Sequence, residues 1–398
     1  MVHSAGGPIT AASPIARSLQ VHEDPRRIDA AAWNRLLAAQ PAPTPFMRHE
    51  YLAAMQASGS AVGETGWLAR FVTLHDGDRL VGACPMYVKG HSWGEYVFDW
   101  AWAEAYQRHG LAYYPKHLVA VPFTPVPGTR LLAADDETRR MLARALVELT
   151  QGAQRSSLHV LFPDTADAAA LAEAGCLRRE GLQFHWVQDP HEPALDFDAL
   201  LARMQRDKRK KIRQEQRRVA EACVHFTLHE GEAIDSETWR FFYRCHEQTY
   251  FAHGAPPYLQ PAFFDAMAST MAEHWLMVVA WRDGRRVAAS LIAIDRASGT
   301  AWGRYWGCVE DIPCLHFDAC YYQPLAWCLA QGFRRFEGGA QGEHKMARGL
   351  LPRRTQSMHW LSDPRFASAV SDFLAREGAG VAHYADELQE RSPFRRGG

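Results

Sequence analysis

The sequence predicts a mixed α/β protein built as two tandem copies of one unit, each a mixed sheet flanked by helices. Three observations lead there. The segment Pro45–Met55 resembles Pro257–Met267 at an offset of 212 residues. The resemblance resumes at Trp67-Leu68 and Trp275-Leu276, which open apolar runs reaching Asp76-Gly77 and Asp283-Gly284 at offsets of 207 to 208. Each half then reads strand, loop, helix, strand. Two matches in the same order, at nearly one offset, argue for a duplicated unit.

The elements follow in order. Each Asp-Gly lies between strand-like runs and reads as a hairpin turn, because Gly accepts the positive φ that such turns demand. An aromatic strand follows each hairpin, Glu95–Trp102 and Ala301–Gly307. In the first half, Leu118–Pro122 is a short strand and Phe123–Arg130 a rigid loop. Asp136–Gln151 is a helix capped by Asp135 or Asp136. Ser157–Phe162 is a buried strand, Thr165–Ala174 a short helix ending at Gly175, and Phe184–Val187 the last strand. In the second half, Val309–His316 is a loop and Phe317–Gln331 a helix stopped by Gly332. Phe333–Glu337 is a strand, Gly338–Pro352 a Gly-rich polar loop and Gln356–Leu361 a strand. Asp189–Pro193 reads as a linker. It leads into a helix, Asp198–Ala222, whose segment Arg203–Arg218 carries nine Lys or Arg against two acids. The expected division is a loose tail (1–20), a first unit (21–193), a basic linker helix (194–222) and a second unit (223–398).

Composition narrows the function. A chain of 398 residues has room for two or three domains. Lys plus Arg number 44 and Asp plus Glu 45, so no global field holds DNA or an anionic membrane, and any such binding needs a local patch. No run of about 18 apolar residues marks a membrane span, and Met1–Gln20 lacks the pattern of a secretory signal. The eight cysteines show no CxxC and read as small apolar residues of a cytoplasmic protein, with no metal site. There is no G-x-G-x-x-G, G-x-x-x-x-G-K-[ST] or H-E-x-x-H, so dinucleotide, P-loop and zincin chemistry lack support.

A family resemblance rests on several segments. They are Gly94–Tyr106, Arg108-His109-Gly110, Tyr113–Lys116 and Val121–Val126 in the first half, and Leu315–Tyr322 and Arg335–Gly349 in the second. Through them the chain resembles the bacterial predicted N-acyltransferases, or peptidoglycan-biosynthesis-like GNAT proteins, related to the Fem-type amino-acid ligases. The resemblance covers about residues 15 to 390. It implies two tandem GNAT-like acyltransferase domains, a Fem-type duplication. It also implies that Lys345, aligned with the Lys of an F-K-x-x-F-like segment, contacts an anionic acceptor group. Fem-type ligases carry a long coiled-coil arm; here only the short basic helix stands in its place.

Candidate chemistry gathers in four places. Gly338, Gly339 and Gly342 permit tight turns beside Glu343, His344, Lys345 and Arg348, while Glu310 and His316 come from the loop before the following helix. Amide formation needs a base for the ammonium proton and donors for the oxyanion. Glu310, His316, Glu343 and His344 are candidate bases; Lys345 and Arg348 are candidate substrate contacts. The bland alternative is a Glu343–Lys345 ion pair and a helix-capping His316. Gly128, Thr129 and Arg130 lie where a GNAT fold cradles a donor pyrophosphate, although two prolines remove N–H donors from that loop. Tyr106, His109, Tyr113 and Tyr114, with Tyr250, His253 and Tyr258, are candidates to line an aromatic pocket or to pack the core. Gly90–Gly94 fits G-x-S-x-G around Ser92, but Pro85 interrupts the strand before it and no packed helix is expected after it.

The reading is a cytoplasmic N-acyltransferase joining an activated acyl donor to a small-molecule or peptide amine. No cofactor is expected to be permanently bound; acyl-CoA or aminoacyl-tRNA serves as co-substrate, so tRNA is a possible partner. The alternatives are a non-catalytic binding or scaffold protein of cell-envelope synthesis, and a serine hydrolase acting through Ser92.

Overall fold

A computed structural model describes residues 17–252, 254–340 and 342–395. Among them, eleven strands form one sheet across both halves. From the second-half edge the order is Val224–Glu230, Trp275–Arg282, Arg285–Asp295, Thr300–Cys308, Arg335–Glu337, Leu177–Val187, Leu351–Leu361, Ser157–Leu161, Lys116–Val119, Met86–Lys89 and Trp67–Ala69. The last strand of each half has crossed over. Leu177–Val187 pairs with Arg335–Glu337, and Leu351–Leu361 pairs with Ser157–Leu161. The two crossed strands pair with each other over nine residue positions. Outward from them, both halves repeat one pattern. Each has one parallel pair, Lys116–Val119 with Ser157–Leu161 and Thr300–Cys308 with Arg335–Glu337, followed by antiparallel neighbours.

The halves differ at their hairpins. Trp275–Arg282 and Arg285–Asp295 run unbroken. The first-half hairpin is bent at Arg70 and Pro85, and its outer portions, Phe71–Asp76 and Arg79–Cys84, join Ser18–His22 and Leu132–Ala133 in a separate four-stranded sheet. Pro85 has no N–H for a central ladder, so the strand turns there. Both Asp-Gly turns form as expected: Gly77 has φ +60°, and Asp283 and Gly284 have +50° and +72°.

The duplicated helices His49–Ala57 and Pro261–Thr270 pack together. Tyr51 meets Phe263 edge to face at 5.3 Å, and Ser60 Oγ accepts from Gln260 N at 3.0 Å. These rings belong to a core cluster that spans both halves.

Three expectations need correction, and one element is new. Glu95–Trp102 is not a strand. Tyr96 has φ +62°, which no strand accommodates, and the helix Trp100–Arg108 starts after Asp99. Glu95 and Asp99 are drawn inward to Lys116 instead. The basic helix is two helices, Phe197–Arg203 and Arg206–Glu221. They break where Gln205 N donates to Pro393 O at 2.8 Å and Met204 bridges Phe394. The second-half helix starts at Leu315 and carries a π turn, Asp318–Tyr322, before Gln323–Ala330; Pro324, which cannot donate, sits just past that turn. Finally, Pro364–Glu390 forms a long helix that sequence reading did not anticipate, packed on both crossed strands.

The basic helix Arg206–Glu221 docks through Ile212, Glu215 and Val219. Glu215 accepts from Arg348 Nη2 at 3.0 and 3.2 Å and from the Tyr322 hydroxyl, all buried. Removing one member of a buried pair leaves a charge uncompensated. Arg348→Ala is therefore expected to lose about 3–5 kcal/mol in urea denaturation. An unchanged midpoint would show that this pair does not secure the helix.

Candidate active site

The parallel strands Thr300–Cys308 and Arg335–Glu337 pair only as far as Trp302 and Glu337. Beyond that point they part, and Gly303–Gly307 has no strand on that side. Arg304 is the extra residue of a bulge, because Leu291 faces Tyr305 while Ile292 faces Gly303. A bulge re-aims the side chain it carries. Arg304 Nη2 donates to Phe123 O at 2.9 Å, Thr124 Oγ1 at 3.3 Å and the Tyr305 hydroxyl at 3.1 Å. Its Nε is buried without a partner, and no carboxylate among the described residues pairs with it. The guanidinium is half-buried and lies over the Phe46 and Tyr305 rings at 5.2 and 5.0 Å, so neutral partners alone hold it and it is open to a ligand's negative charge.

Around Arg304 lies a chamber of about 260 Å³ lined by Tyr96, His246, Tyr250, Tyr305 and Gly338–Ala340. A smaller space of about 110 Å³ adjoins it, lined by Trp306, His316, Cys320 and Tyr321. Burial lowers both His246 and His316 to about 4, so both are neutral at pH 7. His246 Nε2 has no partner. Lys345 is buried and held down to about 8 by burial. Its amine donates to Gly339 O at 3.2 Å and Ala340 O at 3.0 Å, which fixes the chamber wall. Gly338 allows this close packing; a Cβ there would meet Leu350 at 2.5 Å and Lys345 at 3.2 Å.

The equivalent opening in the first half is closed. Gly128 bridges Pro163, and Gly128 N donates to Phe162 O at 3.0 Å, so the diverging chains meet again. Thr129 N donates to Ala42 O, and the N–H groups of Arg130 and Leu131 donate to Asp167. The Arg130 guanidinium is wholly buried among the carbonyls of Leu161, Gly128 and Val126. Every donor of the expected pyrophosphate cradle is spent internally, so Gly128, Thr129 and Arg130 do not form one.

Other expected residues separate in the same way. Glu310 pairs with Arg282, and Glu343 with Arg391 and the Tyr384 hydroxyl at 3.0 Å, so neither carboxylate reaches the chamber. The Glu343–Lys345 pair does not form. Arg348 is occupied by Glu215. His344 is exposed, with Nε2 3.5 Å from the Tyr321 hydroxyl. Tyr106 lies against Phe366 at 4.0 Å, and His109 Nδ1 is 2.8 Å from Ala105 O; both sit by the C-terminal helix, not a pocket. Of the expected residues, His316 and Tyr250 line the two spaces. His253 lies outside the described residues. Arg304, His246, Tyr96 and Tyr305 were not anticipated; the available signal was a lone Arg inside the aromatic run Ala301–Gly307.

A second polar cluster underlies the loop 90–99. Lys116 Nζ donates to Ser92 Oγ at 2.7 Å, Glu95 Oε2 at 2.8 Å and Asp99 Oδ2 at 2.5 Å. Tyr113 donates to Asp99 at 2.6 Å and lies 2.9 Å from His159 Nε2. Thus Tyr113 holds this cluster and faces no pocket. Burial raises Glu95 to about 7 and lowers Lys89, whose amine donates to Trp93 O at 3.2 Å, to about 7. Ser92 also bonds the Tyr114 hydroxyl at 2.8 Å. The strand before it, Met86–Lys89, is antiparallel to both neighbours, so the parallel-strand setting of a nucleophile elbow is absent.

A family model described as peptidoglycan biosynthesis/recognition, FemAB-like, matches residues 24–396. The chain belongs to the FemAB-like family. Among solved structures, FemX covers 87% of this chain and 99% of its own, at 10% identity and a TM-score of 0.52. L-PGS from Bacillus licheniformis covers 89% and 99%, at 11% identity and a TM-score of 0.55. At these identities the likeness is one of fold. No curated protein sequence matches. The fold of this FemAB-like chain is the mixed α/β duplication with mixed sheets and flanking helices that its sequence predicted, and it is similar to that of FemX and L-PGS. Its family is described by peptidoglycan biosynthesis or recognition. No helix among the described residues is long and apolar enough to cross a membrane.

Glu337 ends the strand at the chamber's edge. It is buried, Oε1 lies 3.5 Å from Arg335 Nη1, Oε2 has no hydrogen-bond partner among the described residues, and burial raises its pKa to about 7. A carboxyl whose folded pKa exceeds its unfolded value contributes stability below the unfolded pKa and loses it as pH rises through the folded one. Glu337→Gln is therefore expected to match wild type in urea at pH 4.5 and to exceed it by roughly 1–3 kcal/mol at pH 8. A variant equally or less stable at both pH values would contradict this.

Proposed function

We propose that this FemAB-like protein is a cytoplasmic N-acyltransferase whose reaction centre lies where the second-half strands part. The observation that carries the reading is Arg304, a half-buried cation without an acidic partner among the described residues, on a bulge beside an open chamber. The donor is an acyl thioester of coenzyme A, and the acceptor is a small-molecule or peptide amine bearing an anionic group. The amine nitrogen attacks the thioester carbonyl, the C–S bond breaks, and the thiolate leaves with the proton the amine releases. His246 in the chamber and His316 in the adjoining space, both neutral, are the groups able to relay that proton. Arg304 holds the negative charge of the acceptor, and Lys345 acts as a positioning residue through Gly339 and Ala340.

The test is to incubate the protein with acetyl-CoA and a library of amino acids and dipeptides, follow thiol release and identify the amide by mass spectrometry. Arg304→Gln should lower kcat/KM by roughly 10–150-fold, since charge-assisted hydrogen bonds are worth about 1.5–3 kcal/mol each. Arg304→Lys should recover part of the loss. Full activity in a folded Arg304→Gln protein would remove the centre from this chamber.

One feature favours aminoacyl-tRNA as donor instead. The helix Arg206–Glu221 buries one face and leaves Arg209, Lys210 and Lys211 available beside the second-half helix and the Glu343–Arg348 turn. Submicromolar, salt-sensitive tRNA binding lost on neutralising Lys208, Arg209, Lys210 and Lys211 would reverse the preference for a thioester.

A further inference from the structure

The Arg304 chamber has two side openings, and both begin at Tyr96 and Ala340. One is the more polar, about 210 Å³, where Arg179, Glu180, Gln183 and Gln356 stand among Val97, Phe98, Phe162 and Leu182. The other is a trough of about 570 Å³ walled by Trp93, Tyr96, Phe98, Trp100 and Tyr258. No charged side chain among the described residues lines it. Ser92, its one non-aromatic polar side chain, already has its hydroxyl bonded to Lys116 and Tyr114, so little remains there to satisfy a polyhydroxylated ligand.

The trough is built on a fixed loop. Glu95 and Asp99 tie it to Lys116, Lys89 holds the Trp93 carbonyl, and Trp93 packs edge to face on Trp100 at 5.4 Å. Yet Trp93 is 59% exposed and Phe98 51%. Large aromatic side chains held open to water on a rigid loop mark a binding surface. A chain attached to a carbonyl beside Arg304 has two ways out, and of these only the trough is lined by no charged side chain among the described residues.

We infer that the trough holds the unbranched hydrocarbon chain of a medium- or long-chain acyl donor, with the acceptor leaving by the more polar opening. The inference rests on the second-half chamber as the reaction centre. It makes the protein selective for acyl length, because each methylene moved from water into an apolar wall tightens binding about fourfold.

The experiment is calorimetric titration of the full chain with coenzyme A, acetyl-CoA, octanoyl-CoA and the octanoyl thioester of N-acetylcysteamine, which has the chain without the nucleotide. Octanoyl-CoA should bind at least tenfold tighter than acetyl-CoA. In Trp93→Ala, and separately in Phe98→Ala, that ratio should fall below threefold. Both side chains are largely exposed, so these variants fold. Equal affinities for acetyl-CoA and octanoyl-CoA overturn the trough while leaving the chamber standing. Binding of the cysteamine thioester alone, sensitive to Trp93→Ala, supports the trough and overturns the coenzyme A donor. Binding of neither octanoyl compound overturns the trough.

Discussion

The pairing of Leu177–Val187 with Leu351–Leu361 joins the two halves through the backbone. Each is the last strand of its own repeat and each lies beside the other repeat's parallel pair. Because these ladders are central, their N–H and C=O groups have no water to turn to, and separating the halves would leave them unpaired. The exchange therefore fixes how one repeat faces the other. It carries Gln183 to Pro125 O at 2.8 Å and sets the first-half loop at Phe123 and Thr124 over Arg304. The chamber has walls from both repeats for that reason.

Duplication leaves two potential openings, and the local sequence decides which persists. In the first repeat, the chain after Lys116–Val119 meets the chain after Ser157–Leu161 again through Gly128 and Pro163, and Arg130 fills the space with its hydrogen bonds spent. In the second, Gly303, Gly338 and Gly339 leave room, and Lys345 holds the carbonyls back. The first repeat contributes a wall and a rigid aromatic loop, and the second contributes the open cleft. Burying Lys116 with Glu95 and Asp99 costs desolvation of three charges. What it secures is the loop carrying Trp93, Tyr96 and Phe98.

The duplication is legible in the sequence because its signals are local: Gly77 and Gly284 sit where hairpins need positive φ, and Asp135 accepts from Thr138 N at 2.7 Å as a helix cap should. The strand exchange is illegible, since Phe184–Val187 reads the same whichever partner it takes. The region Glu95–Trp102 misleads because its aromatic alternation resembles a strand, while its conformation answers to Lys116, distant in sequence. The candidate site is half legible. His316 and Tyr250 stand out by residue type and position. Glu310, Glu343 and Arg348 stand out equally, but Arg282, Arg391 and Glu215 claim them, and those partners come from other elements. Arg304 is hidden by its aromatic neighbours, and only the bulge turns it into the chamber.

The reaction centre is placed at the parting strands of the second repeat, and not at the Gly128–Arg130 loop of the first. Hydrogen–deuterium exchange with and without saturating acetyl-CoA tests this directly. Slowed exchange is expected in peptides covering Gly303–Gly307 and Gly338–Ala340, with unchanged exchange at Gly128–Arg130. Protection at Gly128–Arg130 without protection at Gly303–Gly307 would contradict the placement.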